Sequence, residues 1–379
     1  MGYKEAVGSM EKRNYSTWLE IDLGAIRNNI RKIQNLCNLP VMAVVKANAY
    51  GHGLVEVSRA AQEAGAAWLG VARIEEAVDL RKAGNQGQIL VLGYTPADQV
   101  PLASEYDVSL TIYDMNVAVE YSRQLKENRA TLRVHVKVDT GMGRLGIFPE
   151  EGMAFFEKLH TLPGIIVEGV FTHFARADEP RLTETPNQID RFDRLLSDLA
   201  QRGMRPAVVH ASNSAGLLHF PEGRYDMVRA GIIVYGLGPS DEAPVPQGFL
   251  PALSLKSILT SVKTLPKGHG VGYNHRYITQ GVERVGVTAI GYADGFRRRL
   301  GGIALVNGKR VPILGTVCMD QCILRLDEVP EAKIGDEVVL IGSQGEETIS
   351  VDELAAIWGT INYEVVCAMA TRVPRVYLE

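Results

Sequence analysis

The amino-acid sequence predicts an α/β protein: an N-terminal (β/α)8 TIM barrel followed by a C-terminal mostly-β domain. Three observations predict it. Over the first ~240 residues, short β-branched runs alternate with amphipathic stretches whose apolar residues recur at three- and four-residue spacing. The strand-like runs number eight, which matches a closed parallel barrel better than the alternative, an open doubly wound sheet. After a Gly- and Pro-rich stretch, GLGPSDEAPVPQG, around residues 237 to 250, the alternation stops and strand-like runs follow one another directly.

The eight runs are VMAVVKA from Val41, WLGVA from Trp68, QILVLGY from Gln88, VSLTIY from Val108, RVHVKVD from Arg133, IIVEGVFTHF from Ile165, AVVHAS from Ala207 and MVRAGIIVYG from Met227. Each is nearly continuously apolar, as strands buried on both faces must be. Between them lie helical patterns such as GLVEVSRAAQEAG, RIEEAVDLRKAG and QIDRFDRLLSDLAQRG, each closing at a glycine. Beyond the linker come LSLKSILTSVKTL, RVGVTAIGYADG, IALVNGKRVPILGTVCMD and DEVVLIGS. Turn signals such as Asn307-Gly308 divide them, and no helical pattern returns until about Val351. The domains are therefore placed at 16–245 for the barrel and 246–379 for the β domain, with 1–15 as an extension or strand packing with the β domain. Gly8-Ser9-Met10 reads as a junction or a second start, so residues 1–9 are expected to do no work.

Composition narrows the function. The chain has 379 residues, 46% apolar and 22% charged, with a net charge of −4, which excludes wholesale disorder and supports a large core. No Lys/Arg block marks nucleic-acid binding, and no run of about 18 apolar residues marks a membrane span. The first ten residues lack the apolar core of a signal peptide, so a cytosolic protein acting on a small molecule is expected. Cys318 and Cys322 have a zinc-like spacing, but no second Cys or His pair accompanies them. With Cys37 and Cys367 they are expected to be free thiols, and no metal is expected.

Chemistry is expected at the C-terminal ends of the barrel strands. In AVVKANAYGHG, Lys46 ends an apolar strand, where an amine is costly unless neutralised or paired. It is either a stem in the wall with a solvated head or a Schiff-base lysine of depressed pKa. In KVDTGMGRLG, Lys137, Asp139 and Arg144 leave the fifth strand. Arg144 has the fork to hold a carboxylate, and a glycine turn with a surface ion pair explains the run equally well. His173 ends the sixth strand, Asn213 and Ser214 the seventh, and Arg229, Gly231 and Ile232 lie in the eighth. Ser214 and the amides of Gly231 and Ile232 stand where barrels bind phosphate. A lone histidine such as His173 is more often a satisfied core residue. Neither a dinucleotide glycine fingerprint nor a GxxxxGK(S/T) phosphate loop is present.

VVKANAYGHG, DTGMGR, THFARAD, NSAG, RAGIIVYG, GYADG, CMDQ and INYE occur in this order, and with them the chain resembles the bacterial alanine racemases from Trp18 nearly to its end. The resemblance implies a pyridoxal 5′-phosphate barrel, an appended β domain and a head-to-tail homodimer whose active sites take residues from both chains. It implies that Lys46 attaches the cofactor, that Tyr50, Ser214, Tyr363 and the amides of Gly231 and Ile232 hold its phosphate, and that Arg229 donates to its pyridine nitrogen. Asn213, Arg144 and His173 would complete the cofactor site. It implies a two-base racemisation of alanine between Lys46 and Tyr273, the latter from the partner chain. His173 would tune Tyr273, whose ordinary pKa near 10 is high for a base at neutral pH. Arg144 and the backbone of Met319 would bind the substrate carboxylate. Lys137 matches a lysine carbamylated in many relatives, where the anion orients Arg144. Tyr363 is the residue of alanine-specific relatives. A serine or broad-specificity racemase is the alternative, and supply of D-alanine for peptidoglycan is the implied role. Two departures stand near the mouth: Thr316 where many relatives are basic, and Arg176 where many are small. Arg176 is expected either to supply the charge that Thr316 lacks or to be a solvated loop residue.

Overall fold

The computed structural model describes residues 15–379, and the expectations for residues 1–14 lie outside it. The chain forms two units. The barrel unit comprises Ala25–Ala49 and Leu54–Pro251; the β unit comprises Ala252–Glu379, Tyr50–Gly53 and, among the described residues, 15–24.

The chain enters through β1 (Thr17–Asp22) and α1 (Leu23–Cys37). The barrel then runs β2 (Val41–Val44), α2 (Leu54–Glu63), β3 (Trp68–Val71), α3 (Ile74–Lys82), β4 (Gln88–Val91), α4 (Val100–Glu105), β5 (Ser109–Ile112) and α5 (Met115–Asn128). It continues through β6 (Leu132–Lys137), α6 (Gly152–Leu159), β7 (Ile165–Phe171), α7 (Glu184–Gln201), β8 (Val208–His210), α8 (Ser214–His219) and β9 (Val228–Ala230). All eight predicted strands are present. They form one sheet in the order β8-β7-β6-β5-β4-β3-β2-β9, with every neighbouring pair parallel. Two backbone bonds span β8 and β9, Asp226 N–H to Val209 O and Arg229 N–H to Ser212 O, each 3.0 Å, so the sheet is nearly closed. Met42, Trp68, Leu90 and Met227 pack together as a layer of buried apolar side chains.

The β unit holds β10 (Leu253–Leu265), β11 (Gly270–Val271), β12 (Tyr277–Ile278), β13 (Glu283–Thr288), β14 (Ile303–Val306), β15 (Lys309–Leu314), β16 (Cys322–Arg325), β17 (Glu337–Gln344) and β18 (Glu347–Ile349), then α9 (Val351–Trp358), α10 (Asn362–Cys367) and β19 (Arg375–Leu378). Its main sheet runs β18-β17-β14-β15-β16-β13-β10-β1-β19, and β10 also pairs with β17. That second pairing closes six strands on themselves and removes their edges. The expected Asn307-Gly308 turn joins β14 to β15 with both residues at positive φ (50° and 75°), the conformation those residue types favour in two-residue hairpins.

Two domain boundaries differ from the sequence reading. Thr17–Asp22, which a boundary at residue 16 assigns to the barrel, is an inner strand of the β unit, antiparallel to β10 and parallel to β19. Its sequence is followed at once by a helix, so it mimics a βα unit, while its partners lie at the other end of the chain. The barrel unit also extends past residue 245 to Pro251. Buried Asn29 of α1 holds Leu250 through both backbone groups (2.8 and 2.9 Å) and Val234 O at 3.0 Å, fastening the segment to the barrel.

Candidate active site

Lys46 follows β2 and opens an unusual turn. Ala47, Asn48, Ala49 and Tyr50 all lie in the left-handed region, with φ between 52° and 56°. Residues with a Cβ avoid this conformation, so neighbours must hold it. Glu76 Oε1 accepts the Ala47 N–H (2.6 Å), Asn48 Oδ1 accepts the Leu54 N–H (2.9 Å) and Val45 O accepts the Ala49 N–H (2.8 Å). The turn reverses the chain within five residues and presents Lys46 at the C-terminal end of a strand.

Arg229 on β9 is buried at 3% exposure. One terminal nitrogen donates to His210 Nδ1 (2.9 Å); the other donates to the carbonyls of Ala211 (2.7 Å) and Thr172 (2.8 Å) and to His173 Nδ1 (3.1 Å). Among the described residues no carboxylate pairs with it. Burial and the nearby Arg144 charge lower its pKa to about 9, which leaves it a cation at neutral pH. His173 and His210 are held well below the ordinary imidazole range, first by burial and then by the Arg229 charge, so both rings are neutral.

Lys137 ends β6, buried, with its amine 4.4 Å from the Phe171 ring centroid. Burial lowers its pKa to about 7, reinforced by the charges of Arg229, Arg144 and Lys46 and opposed by Asp139. The following loop turns on the Asp139 carboxylate, which accepts the N–H groups of Gly141 (2.9 Å) and Gly143 (3.0 Å). Burial pushes that carboxyl up, but the loop's N–H groups outweigh it and hold it below its usual range. Gly141 and Gly143 both have positive φ, which lets this loop curl so tightly. Arg144 leaves the loop exposed and forms no ion pair among the described residues.

Ser214 is buried, and its Oγ accepts the N–H groups of Gly231 (3.0 Å) and Ile233 (3.5 Å). The Ile232 N–H heads a 3-10 turn, Ile232–Tyr235, in place of a helix after β9. The Ser214 hydroxyl and the amides that follow β9 therefore lie together at the ends of β8 and β9. Asn213 differs from its neighbour. Its Oδ1 caps α8 at Gly216 N (2.9 Å) and its Nδ2 reaches Phe174 O (3.3 Å), so both ends of the side chain hold loop backbone.

In the β unit, Tyr50 and Tyr363 are neighbours with ring centroids 6.2 Å apart. Burial, and then the Tyr363 and Cys367 groups, push the Tyr50 hydroxyl upward, so it stays protonated and can donate. Tyr273 and Met319 line one open cavity of about 560 Å³ with Gly272, Cys318, Asp320 and Gln321. Both are solvent-facing, 64% and 52% exposed. Gly291 lets the Met319 loop come close: Tyr292 and Ala293 donate to the Cys318 and Met319 carbonyls, and a Cβ on Gly291 would lie 2.3 Å from both oxygens. Arg176 is committed on its own loop. It forks onto Glu179 with two bonds of 2.7 Å and faces Glu184 at 3.7 Å, so its charge is already matched. The expectation that Arg176 supplies charge in place of Thr316 loses its support.

Sequence reasoning singled out His173 but missed His210, which holds the same guanidinium, and His135 and Glu168 behind it. The signal was present: RVHVKVD, IIVEGV and AVVHAS each place one titratable residue inside an otherwise apolar strand.

A buried cation without a carboxylate, a strand-end lysine and a buried serine beside backbone amides gather at the C-terminal ends of the barrel strands, where (β/α)8-barrel enzymes keep their sites. Residues 21–239 match the alanine racemase N-terminal domain and residues 252–377 the alanine racemase C-terminal domain. An alanine racemase of Symbiobacterium thermophilum is 46% identical over 364 residues, covering 95% of this chain and 97% of that one. The crystal structure of alanine racemase from Bacillus anthracis with bound L-Ala-P superposes with a TM-score of 0.91 at 43% identity, covering 96% and 95% of the two chains. A histidine racemase from Leuconostoc mesenteroides superposes with a TM-score of 0.89 at 31% identity, covering 96% and 98%. This chain belongs to the alanine racemase family.

Proposed function

We propose that this chain interconverts L- and D-alanine with pyridoxal 5′-phosphate as cofactor. The observation that carries the reading is Arg229, a buried cation held by two imidazole nitrogens and two carbonyls and by no carboxylate among the described residues. The barrel's donor set fits the cofactor: an amine at Lys46 for its aldehyde, the Ser214 hydroxyl with the Gly231 and Ile232 amides for its phosphate, and Arg229 for its ring nitrogen; the family resemblance adds the Tyr50 and Tyr363 hydroxyls for the phosphate.

When bound, pyridoxal phosphate supplies an electron sink for the pair left on the α-carbon as the α-proton departs. Arg229 remains a cation near pH 7 and does not give its proton to the ring nitrogen, so that sink is weak. A proton must therefore be returned promptly from the opposite face, which calls for two separate proton-handling groups. Lys46 serves one face and Tyr273 of the partner subunit the other. With L-alanine, Tyr273 takes the α-proton and Lys46 returns one; with D-alanine the roles reverse. His173 accepts from Arg229 at Nδ1, so its own proton lies on Nε2, and that N–H is the proposed donor to the Tyr273 oxygen.

Exposed Tyr273 and Met319 support a head-to-tail homodimer in which each chain completes the other's site. Arg144 and the Met319 amide bind the substrate carboxylate. Lys137, largely neutral near pH 7.5, is a nucleophilic amine able to take up carbon dioxide as a carbamate beside Arg144. The bulk of Tyr363 favours a methyl side chain, though such pockets discriminate by only ~1–3 kcal/mol per methylene. The likeness to a histidine racemase favours a serine or broader racemase as the second reading. In a bacterial cell, D-alanine for peptidoglycan is the proposed use of the product.

Purified, cofactor-loaded Lys46→Ala is expected to lose racemisation. Tyr273→Ala should be strongly depressed, with L-alanine affected at least as much as D-alanine. Near-normal turnover and α-proton exchange without Tyr273 would refute the two-base assignment.

A further inference from the structure

Behind Arg229 a line of polar side chains crosses the barrel interior. His210 Nδ1 accepts from Arg229 (2.9 Å), and His210 Nε2 lies 2.9 Å from His135 Nδ1. His135 Nε2 lies 3.2 Å from Glu168 Oε2, which also accepts from Ser109 Oγ (2.7 Å). Arg133 faces the other Glu168 oxygen at 3.4 Å. Both histidines are completely buried and lie among rings: Phe171 stacks on His210 at 4.7 Å and 3°, and Trp68 and His135 form a T-shaped pair at 5.3 Å and 70°.

Donor arithmetic allows one arrangement. Arginine has only donors, so His210 Nδ1 must be bare and His210 carries its proton on Nε2. That proton points at His135 Nδ1, so His135 Nδ1 is bare and its proton lies on Nε2, directed at the Glu168 carboxylate. A carboxylate has only acceptors, and Ser109 donates to it. Every contact is then satisfied with both rings neutral. This agrees with the low pKa of each imidazole, which burial causes first. Reversing either ring would set two N–H groups or two bare nitrogens face to face.

The barrel makes room for this line. The register of β6 against β7 shifts between Val134 and His135, a bulge that re-aims the side chain. Opposite it stands Gly169, where a Cβ would fall 2.3 Å from His135 Nδ1. A bulge and a glycine serving the same ring argue that its placement is specified rather than incidental to core packing.

We infer that Glu168 and His135 are positioning residues: the carboxylate fixes the tautomer of His135, whose bare Nδ1 then accepts the His210 proton, so that His210 is held at both nitrogens and keeps Arg229 with its donors turned to the active site. The device places the balancing carboxylate two imidazoles away from the guanidinium. Arg229 gains a polarised anchor while no acid stands beside the group it faces. The tautomer assignment is independent of the proposed reaction; its consequence for turnover rests on that reading.

The test is a long-range proton–nitrogen NMR spectrum of full-length protein labelled with 15N-histidine, at pH 7. Signals are assigned from those missing in His135→Gln and His210→Gln. Both rings should be neutral with the proton on Nε2. Glu168→Gln, which keeps an acceptor, should preserve both tautomers. Glu168→Leu should leave His135 in a mixture of the Nδ1–H and Nε2–H forms, break the bond from His210 Nε2 and lower kcat about tenfold, the size of one lost hydrogen bond, with KM for alanine little changed. Normal tautomers with normal kcat in Glu168→Leu would overturn the inference. If that variant does not fold, the unsubstituted protein decides alone: an imidazolium at either ring, or a proton on His210 Nδ1, refutes the relay. Expected tautomers in a protein that racemises nothing would separate the relay from the proposed function.

Discussion

Substituting Ala47 by glycine should stabilise this protein, the opposite of what Ala→Gly does in a right-handed helix. Ala47 has φ 54° and ψ 51°, and its side chain is exposed, so losing the methyl forfeits little packing. A residue with a Cβ costs roughly 1–2 kcal/mol in this conformation, and glycine is free of that cost. Against it stands the greater freedom glycine gives the unfolded chain, about 0.4–1 kcal/mol. The bond from Ala47 N–H to Glu76 is a backbone bond and survives. The difference is a gain of roughly 0.5–1 kcal/mol. Ala47→Val should have the opposite sign, because a β-branched residue fits positive φ worse still. Asn48→Gly should gain less, since it gives up the side-chain bond to Leu54 N–H. The assay is urea unfolding at one fixed protein concentration, because the midpoint of an oligomer depends on concentration. A lower midpoint for Ala47→Gly, near the ~1 kcal/mol loss of an ordinary helix, would refute the strained turn.

Lys137 should impose a pH slope on stability. Its amine titrates at about 7 in the folded protein against 10.5 for an ordinary lysine. Below pH 7 both states hold the proton and the folded state bears a buried charge. Between these values only the unfolded state holds it, so stability should rise with pH by up to about 1.4 kcal/mol per unit. Unfolding free energies at pH 7.5 and 9.5 should show that slope in the unsubstituted chain and a smaller one in Lys137→Met; equal slopes would contradict the burial argument. Gly291→Ala would drive a methyl into the Cys318 and Met319 carbonyls, so KM for alanine should rise about tenfold or more while the fold survives, and an unchanged KM would remove the Met319 loop from substrate binding.

Much of this architecture is legible in the sequence because parallel strands covered on both faces must be apolar throughout. A charge inside such a run stands out, which is how Lys46, Lys137 and Arg229 are found. His135, Glu168 and His210 are as conspicuous individually, yet a single buried histidine has too many bland explanations. Only the adjacency of β6, β7, β8 and β9 shows that the three form a line ending on Arg229. The left-handed turn is invisible for a different reason. Ala47 and Ala49 are good right-handed helix formers, and the constraint on them comes from Glu76 on α3 and from Leu54 beyond the turn. The placement of β1 fails for want of long-range information, since Thr17 pairs with Ser257 across 240 residues of chain.

The central claim is a site that takes Lys46 from one chain and Tyr273 from the other, and mixing two inactive variants tests it most directly. Lys46→Ala and Tyr273→Ala chains would be unfolded together, refolded in equal amounts with pyridoxal phosphate, and assayed for D-alanine formed from L-alanine. In a mixed dimer one site carries both lesions and the other carries neither. With random pairing, half the dimers are mixed and each has one intact site, so about a quarter of the unsubstituted activity should return. No recovery, with mixed dimers demonstrated by mass, would contradict the shared two-base site.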